Sequence, residues 1–238
     1  MVEGTGRNTQ EEARRLLGDC TLFRGLNPDE RKSLVARARV RTFATGDTIF
    51  LMGSPGDNMM AVLNGNVRIS VPSPEGKEIV LAIMHPGEVF GEIALLDGKG
   101  RSADAKAMSA CSLAILERRD VLAFFDHYPG AWFGLVQVLC QRLRISTDQL
   151  AEVALLDLPM RLAKTLLRMA AVDHDGQPAR AIPQINLSQR ELGNIVGATR
   201  ESINKCLREW QNSGMIKIEG NVITIKNRPA FRKLAELD

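Results

Sequence analysis

Cysteine and histidine are scarce in this chain, and each scarcity removes a class of function. The four cysteines, Cys20, Cys111, Cys140 and Cys206, lie far apart in the 238 residues. They form no CxxC pair, so they read as buried thiols in a reducing compartment rather than as disulfides or metal ligands. Three scattered histidines cannot build a two-metal hydrolytic centre, and no HxxxH, GxSxG or clustered-carboxylate motif offers another route to catalysis. No apolar run approaches the roughly 20 residues needed to cross a bilayer. The first 20 residues are polar and acidic with no apolar h-region, unlike a secretory signal. These absences give the expectation of a cytoplasmic protein that is not an enzyme, has no catalytic residues, holds no metal or cofactor and has no membrane partner.

What is present is ordinary for a globular protein: 45% hydrophobic and 25% charged residues, enough chain for one or two packed domains. The net charge of +3 conceals an asymmetry. From Leu158 onward there are 13 basic and 8 acidic residues, a net of +5, which leaves 18 and 20 for the rest, a net of −2. A basic C-terminal third suits a polyanion such as nucleic acid, and equally suits a solvated basic face.

The texture of the sequence changes along its length. Asn27-Pro28 is a helix start, followed by apolar Leu34, Val35 and Ala38. From Arg41 to about Leu116, short β-branched runs (TIF, VRISV, EIVLAIM, CSLAIL) alternate with Gly and Pro turn signals, the pattern of a small barrel or jelly roll. Residues 131–156 then read as one long helix. Trp132, Val136, Leu139, Leu143, Ser146, Leu150 and Val153 recur at steps of 4 and 3, a heptad seam suited to pairing with a second copy across a two-fold axis. Ser146 is its polar exception. Asp157-Leu158-Pro159 ends the helix and marks a domain boundary. Residues 160–172 form another amphipathic helix, and an exposed loop follows.

Within LSQRELGNIVGATRESINKCL, residues 187–207, Ser188 and Glu191 make a capping box, Gly197 a turn, and Thr199 a second cap. The spacing is that of a helix-turn-helix, and MIKIEGNVITIK behind it reads as a hairpin wing. The second helix presents Arg200, Glu201, Asn204, Lys205 and Arg208 outward. Arginine can fork onto guanine O6 and N7, and glutamate can accept from cytosine N4. Ser188, Gln189 and Thr199 sit at helix starts, where phosphates bind.

One segment is still unexplained. GEVFGEIALLDGKGRSADAKA, residues 87–107, holds a glycine turn, a carboxylate (Glu92), a guanidinium (Arg101) and a hydroxyl (Ser102). Together these suit a small anionic ligand that carries a sugar.

GEIALLDGKGRSA (91–103), PEGKEIVLAIMHPGEVFGE (74–92), QRLRISTDQLAEVALLD (141–157) and the helix-turn-helix segment together resemble the cAMP receptor protein/FNR family of bacterial regulators, and the cAMP receptor proteins most. The resemblance covers the chain from about Leu22. It implies an α+β protein with four parts: an N-terminal polar extension (1–20), a cyclic-nucleotide-binding β-barrel of jelly-roll type (21–130), a long dimerisation helix and hinge (131–157), and a winged helix-turn-helix domain (158–238). It implies a homodimer whose binding to double-stranded DNA is switched on by a 3′,5′-cyclic nucleotide, with cAMP favoured and cGMP second. Arg101 and Ser102 would hold the cyclic phosphate and Glu92 the ribose 2′-OH, with Gly91 allowing close approach. Ile93, Ala94, Ala103, Val80 and Leu81 would line the same site, and Arg142 would lie near it. Ser146 and Thr147 match the pair that touches the purine, one from each subunit. A seam hydroxyl then has a partner only when ligand is bound, a physical basis for a switch.

On the DNA side the resemblance implies contacts from Ser188, Gln189, Thr199, Arg200, Glu201, Ser202 and Lys205 to a palindrome resembling TGTGA-N6-TCACA. Lys205 stands where the family's second reading arginine is expected, and lysine lacks the bidentate fork. RNA polymerase is the further expected partner, through 174–181 or 75–78. An iron–sulfur sensor is disfavoured, since Cys20 is the lone N-terminal cysteine, and His85 reads as a turn residue rather than a haem ligand. A cyclic-nucleotide hydrolase lacks its metal site. A ligand-independent DNA binder would leave Glu92, Arg101 and the seam serine without a role.

Overall fold

A computed structural model describes residues 20–23, 26–73, 78–170 and 184–235. The N-terminal extension up to residue 19, most of the 75–78 segment and the 174–181 loop lie outside the described residues.

The chain divides into two compact units, one made of residues up to Val71 with Leu81–Arg144, the other of Pro72–Val80 with Ile145 onward. The first begins with a 3-10 turn at Thr21–Phe23 and helix α1, Pro28–Val35. Asn27 caps α1 through Oδ1, and the Glu30 carboxylate returns to the Asn27 amide at 2.8 Å, closing a capping box. Strands β1 (Arg39–Phe43), β2 (Thr48–Phe50), β3 (Asn58–Asn64), β4 (Val67–Pro72), β5 (Glu78–Met84) and β6 (Val89–Phe90) follow. Helix α2 (Glu92–Asp97) then precedes β7 (Asp104–Ala107) and β8 (Cys111–Glu117). The strands form two four-stranded sheets, β1-β8-β3-β6 and β2-β7-β4-β5, the double-sheet form of the expected all-β domain.

Side-chain alternation explains how these sheets hold together. Met60 and Val62 of β3 and Cys111 and Leu113 of β8 point into a core shared with Val67, Met84, Ala105 and Ala107 of the other sheet. The alternate residues Met59, Ala61, Leu63, Ala114 and Leu116 face the opposite way. They are covered by Val121, Phe124 and Phe125 of helix α3 (Arg118–His127), and by Ala131, Leu135 and Val138 of helix α4 (Gly130–Leu155). β3 is therefore buried on both faces.

The long helix α4 extends to Leu155, one residue from the expected limit. Arg161 Nη1 donates to the Leu156 carbonyl at 3.1 Å, satisfying one of the acceptors left bare at a helix end. Asp157 caps helix α5 (Leu158–Met169) with Pro159 in its first turn. Glu152 forms a two-point ion pair with Arg168, at 2.9 and 3.2 Å. These contacts tie the last turns of α4 to α5.

The rest of the second unit comprises β9 (Gln184–Asn186), α6 (Gln189–Val196), α7 (Arg200–Asn212), β10 (Ile216–Glu219), β11 (Val222–Ile225) and α8 (Arg228–Leu234). The expected wing is present, with β9 as a third strand beside it in the order β10-β11-β9. Leu162 and Leu166 of α5 pack with Leu192, Val196, Ile203, Cys206, Leu207, Trp210 and Phe231 in one core. Gly193 of α6 lies against the turn that leads into α7: a Cβ there would lie 2.6 Å from the Ala198 carbonyl oxygen.

Candidate ligand pocket and DNA-facing surface

The turn from β6 into α2 positions the first cluster. Gly91 takes the left-handed conformation, φ +80°, which L side chains rarely adopt. A Cβ here would meet Arg101 Nη1 at 2.6 Å, so the glycine is required both by the backbone and by the arginine beside it. The reversal directs Glu92 inward, where it is fully buried. Its Oε1 accepts from Arg142 Nη1 at 2.5 Å, and Arg142 Nη2 also donates to the Val89 carbonyl. Glu92 Oε2 is buried and accepts no hydrogen bond among the described residues. A carboxylate oxygen with no donor in a buried position suits a ligand hydroxyl.

Arg101 is 4% exposed, rare for a guanidinium. Its backbone is fixed by a reciprocal pair, Arg101 N to the Ser54 carbonyl and Gly53 N to the Arg101 carbonyl, both 2.8 Å. Nη1 donates to the carbonyls of Asn58 (2.8 Å) and Gly91 (2.9 Å), and Nη2 to Asn58 Oδ1 (2.7 Å). The Phe50 ring lies beneath it, 4.2 Å from centroid to Cζ. Burial pulls the guanidinium pKa down, while the carboxylates of Asp57 and Glu92 oppose that change. A buried cation within reach of a glycine turn suits a ligand that brings its own negative charge.

The other residues expected at this site differ in exposure. Ala94 and Ala103 are buried, Ile93 is exposed on α2, and Ser102 is exposed with its hydroxyl beside Arg101 in sequence. Val80 is buried and Leu81 exposed on the edge strand β5. Ser146 and Thr147 are exposed on α4, four and five positions after Arg142. Of the seam, Trp132, Val136, Leu143, Leu150 and Val153 are exposed, Leu150 at 70%, while Leu139 is half-buried. Asn58 and Phe50 had no motif to mark them, because a side chain that holds another leaves no signature in spacing.

In the second unit, Ser188 caps α6 in a full capping box, its hydroxyl 2.7 Å from Glu191 Oε2. That hydroxyl is thus already engaged by the helix it starts. Gly197, φ +70°, reverses the chain, and Thr199 caps α7 through the Ser202 amide. Ile203, Cys206, Leu207 and Trp210 form the buried face of α7. Arg200, Glu201, Lys205 and Arg208 are exposed, with Asn204 half-buried among them. The amide at the head of α7 and the Thr199 hydroxyl hold the Glu201 carboxyl below the usual carboxylate range, so it stays an ionised acceptor. Among the described residues no group of histidine, cysteine and acidic side chains is placed to hold a metal. No described helix is long and apolar enough to cross a membrane.

Comparisons with known proteins agree with this division. A cyclic nucleotide-binding domain family matches residues 40–128, and a Crp-like helix-turn-helix domain family matches residues 160–234. The CRP-like cAMP-activated global transcriptional regulator of Mycobacterium tuberculosis is 30% identical over 220 residues, 92% of this chain and 98% of that protein. The cAMP-activated global transcriptional regulator CRP of Salmonella typhimurium is 26% identical over 197 residues, 80% of this chain and 91% of that one. A solved CRP/FNR-family transcriptional regulator from Thermus thermophilus superposes with a TM-score of 0.70 at 28% identity, covering 83% of this chain and 98% of that one. A cyclic-nucleotide-binding sheet domain and a DNA-reading helix-turn-helix in one chain define a DNA-binding transcriptional regulator. The chain belongs to the CRP/FNR family.

Proposed function

We propose that this protein is a homodimeric transcription regulator whose sequence-specific DNA binding is switched on by a 3′,5′-cyclic nucleotide, cAMP in preference to cGMP. The observation that carries the reading is the pairing of two buried ionic groups across one glycine turn: Glu92 with a free Oε2, and Arg101 with Gly91 between them. The ligand's 2′-OH donates to Glu92, and its cyclic phosphate meets Arg101 and Ser102. Relatives at 26–30% identity are described as cAMP-activated regulators, which supports the same ligand.

Exposed apolar residues at heptad steps along α4 support the homodimer, since a surface of this kind is stabilised by burial against its own copy. In that dimer Ser146 and Thr147 meet the purine, one from each subunit. The ligand thus favours the paired helices and sets the two α7 helices about 34 Å apart, one DNA turn. Arg200, Glu201 and Lys205 read a palindrome resembling TGTGA-N6-TCACA, while Ser188, Gln189, Thr199 and Ser202 lie at the phosphates. RNA polymerase is the further partner, and the protein acts in the cytoplasm as a regulator rather than an enzyme.

A gel-shift titration on that palindrome, with and without each nucleotide, tests this reading together with sedimentation of the free protein. A dimer whose DNA affinity rises with cAMP supports it. Equal DNA binding with and without either nucleotide overturns it, and conversion of the nucleotide to its linear form makes the protein a hydrolase instead.

A further inference from the structure

We propose that Asn58 is a positioning residue that occupies one edge of the Arg101 guanidinium and so reserves the other, Nε with Nη2, for two oxygens of the ligand's phosphate. This rests on the cyclic-nucleotide reading above. A guanidinium is planar and carries five N–H donors in fixed directions. Both hydrogens of Nη1 are engaged, by the Asn58 and Gly91 carbonyls. One hydrogen of Nη2 goes to Asn58 Oδ1. Because Asn58 accepts from Nη1 through its backbone and from Nη2 through its side chain, it spans the end-on edge. The remaining Nη2 hydrogen then lies alongside Nε–H, and these two parallel donors form the side-on fork.

Nε is the telling atom. It is buried and has no hydrogen-bond partner among the described residues. A buried cationic donor without an acceptor is costly, and an anionic oxygen removes that cost. The Phe50 ring fixes the plane of the guanidinium from one face, and the Asn58 clamp fixes its rotation within that plane. Neither residue touches the ligand; both act through Arg101.

Nitrogen-15 NMR of the full-length protein reads the fork directly. The Arg101 Nε–H signal, assigned by its loss in Arg101→Lys, is followed during titration with cAMP, with calorimetry in parallel. The expected result is a downfield displacement of that signal in step with binding, about tenfold weaker cAMP binding in Asn58→Ala, and no further loss when Asn58→Ala is added to Arg101→Leu. If cAMP binds while the Nε–H signal stays fixed, or if the two substitutions act additively, Asn58 does not reserve that edge. If wild-type protein takes up neither cAMP nor cGMP, the functional reading itself fails. The wild-type signal decides the matter even if Asn58→Ala does not fold.

Discussion

Arg142 and Glu92 are 50 residues apart in sequence and 2.5 Å apart in space, the guanidinium of the long helix closing on a carboxylate with no solvent exposure. The contact ties α4 to the head of α2, so the residues that would meet a ligand and the helix that would carry its signal share one ion pair. Removing the cation leaves a buried charge alone. Arg142→Gln is expected to cost about 2–3 kcal/mol of stability, less than the roughly 3–5 of a wholly buried pair because the Arg142 side chain keeps 30% exposure. Denaturant unfolding measures this, and adding Glu92→Gln to the same variant should recover part of the loss.

The two hydroxyls further along α4 serve a different step. Ser146→Ala with Thr147→Ala should weaken cAMP-stimulated DNA binding far more than basal binding, since neither side chain lies on the DNA-reading helix. Gel shifts with and without cAMP measure both, and an equal loss of the two contradicts the coupling.

On α7, Arg200 and Lys205 separate fork from point charge. Arg200→Ala should cost about 1–3 kcal/mol at one guanine of each half-site and little at others. Lys205→Arg restores a bidentate donor and should sharpen discrimination at its own base pair. Binding to a panel of single-base operator variants checks both; uniform changes across the panel count against these assignments.

Gly193→Ala tests how closely α6 must approach the turn that leads into α7. The added methyl would meet the Ala198 carbonyl at 2.6 Å, and that backbone atom cannot swing away as a flexible side chain would. Displacing the turn should cost about 1–3 kcal/mol and lower DNA affinity, with nucleotide binding unchanged by calorimetry. Wild-type stability in this variant would show that the turn has slack.

Much of this organisation was legible in the sequence, for identifiable reasons. Asn27, Ser188 and Thr199 cap helices where their residue types require it, and Gly197 turns where the left-handed conformation is needed. Asp157, read as the end of the long helix, also caps the next one, which starts at Leu158 rather than at residue 160. The period of the α4 seam was visible because six of its seven positions are apolar or aromatic. β3 was not, although it lies at the centre of its sheet. Met59 to Leu63 are all buried, on two faces at once, so alternation vanishes from the sequence. Helices α3 and α8 were missed beside stronger neighbouring signals. The candidate site divides the same way. Glu92 and Arg101 stand in a spaced motif, whereas the clamp from Asn58 and the ring of Phe50 arise where the end of β2 and the start of β3 meet Arg101, a proximity that only the fold creates.

Calorimetric titration of wild type and Arg101→Leu with cAMP and with cGMP is the most direct measurement. Saturable uptake by wild type, with affinity lost by at least about tenfold in the variant, is the predicted result. Equal uptake by the two proteins, or none by either, would contradict it, leaving a winged helix-turn-helix with no ligand to govern it.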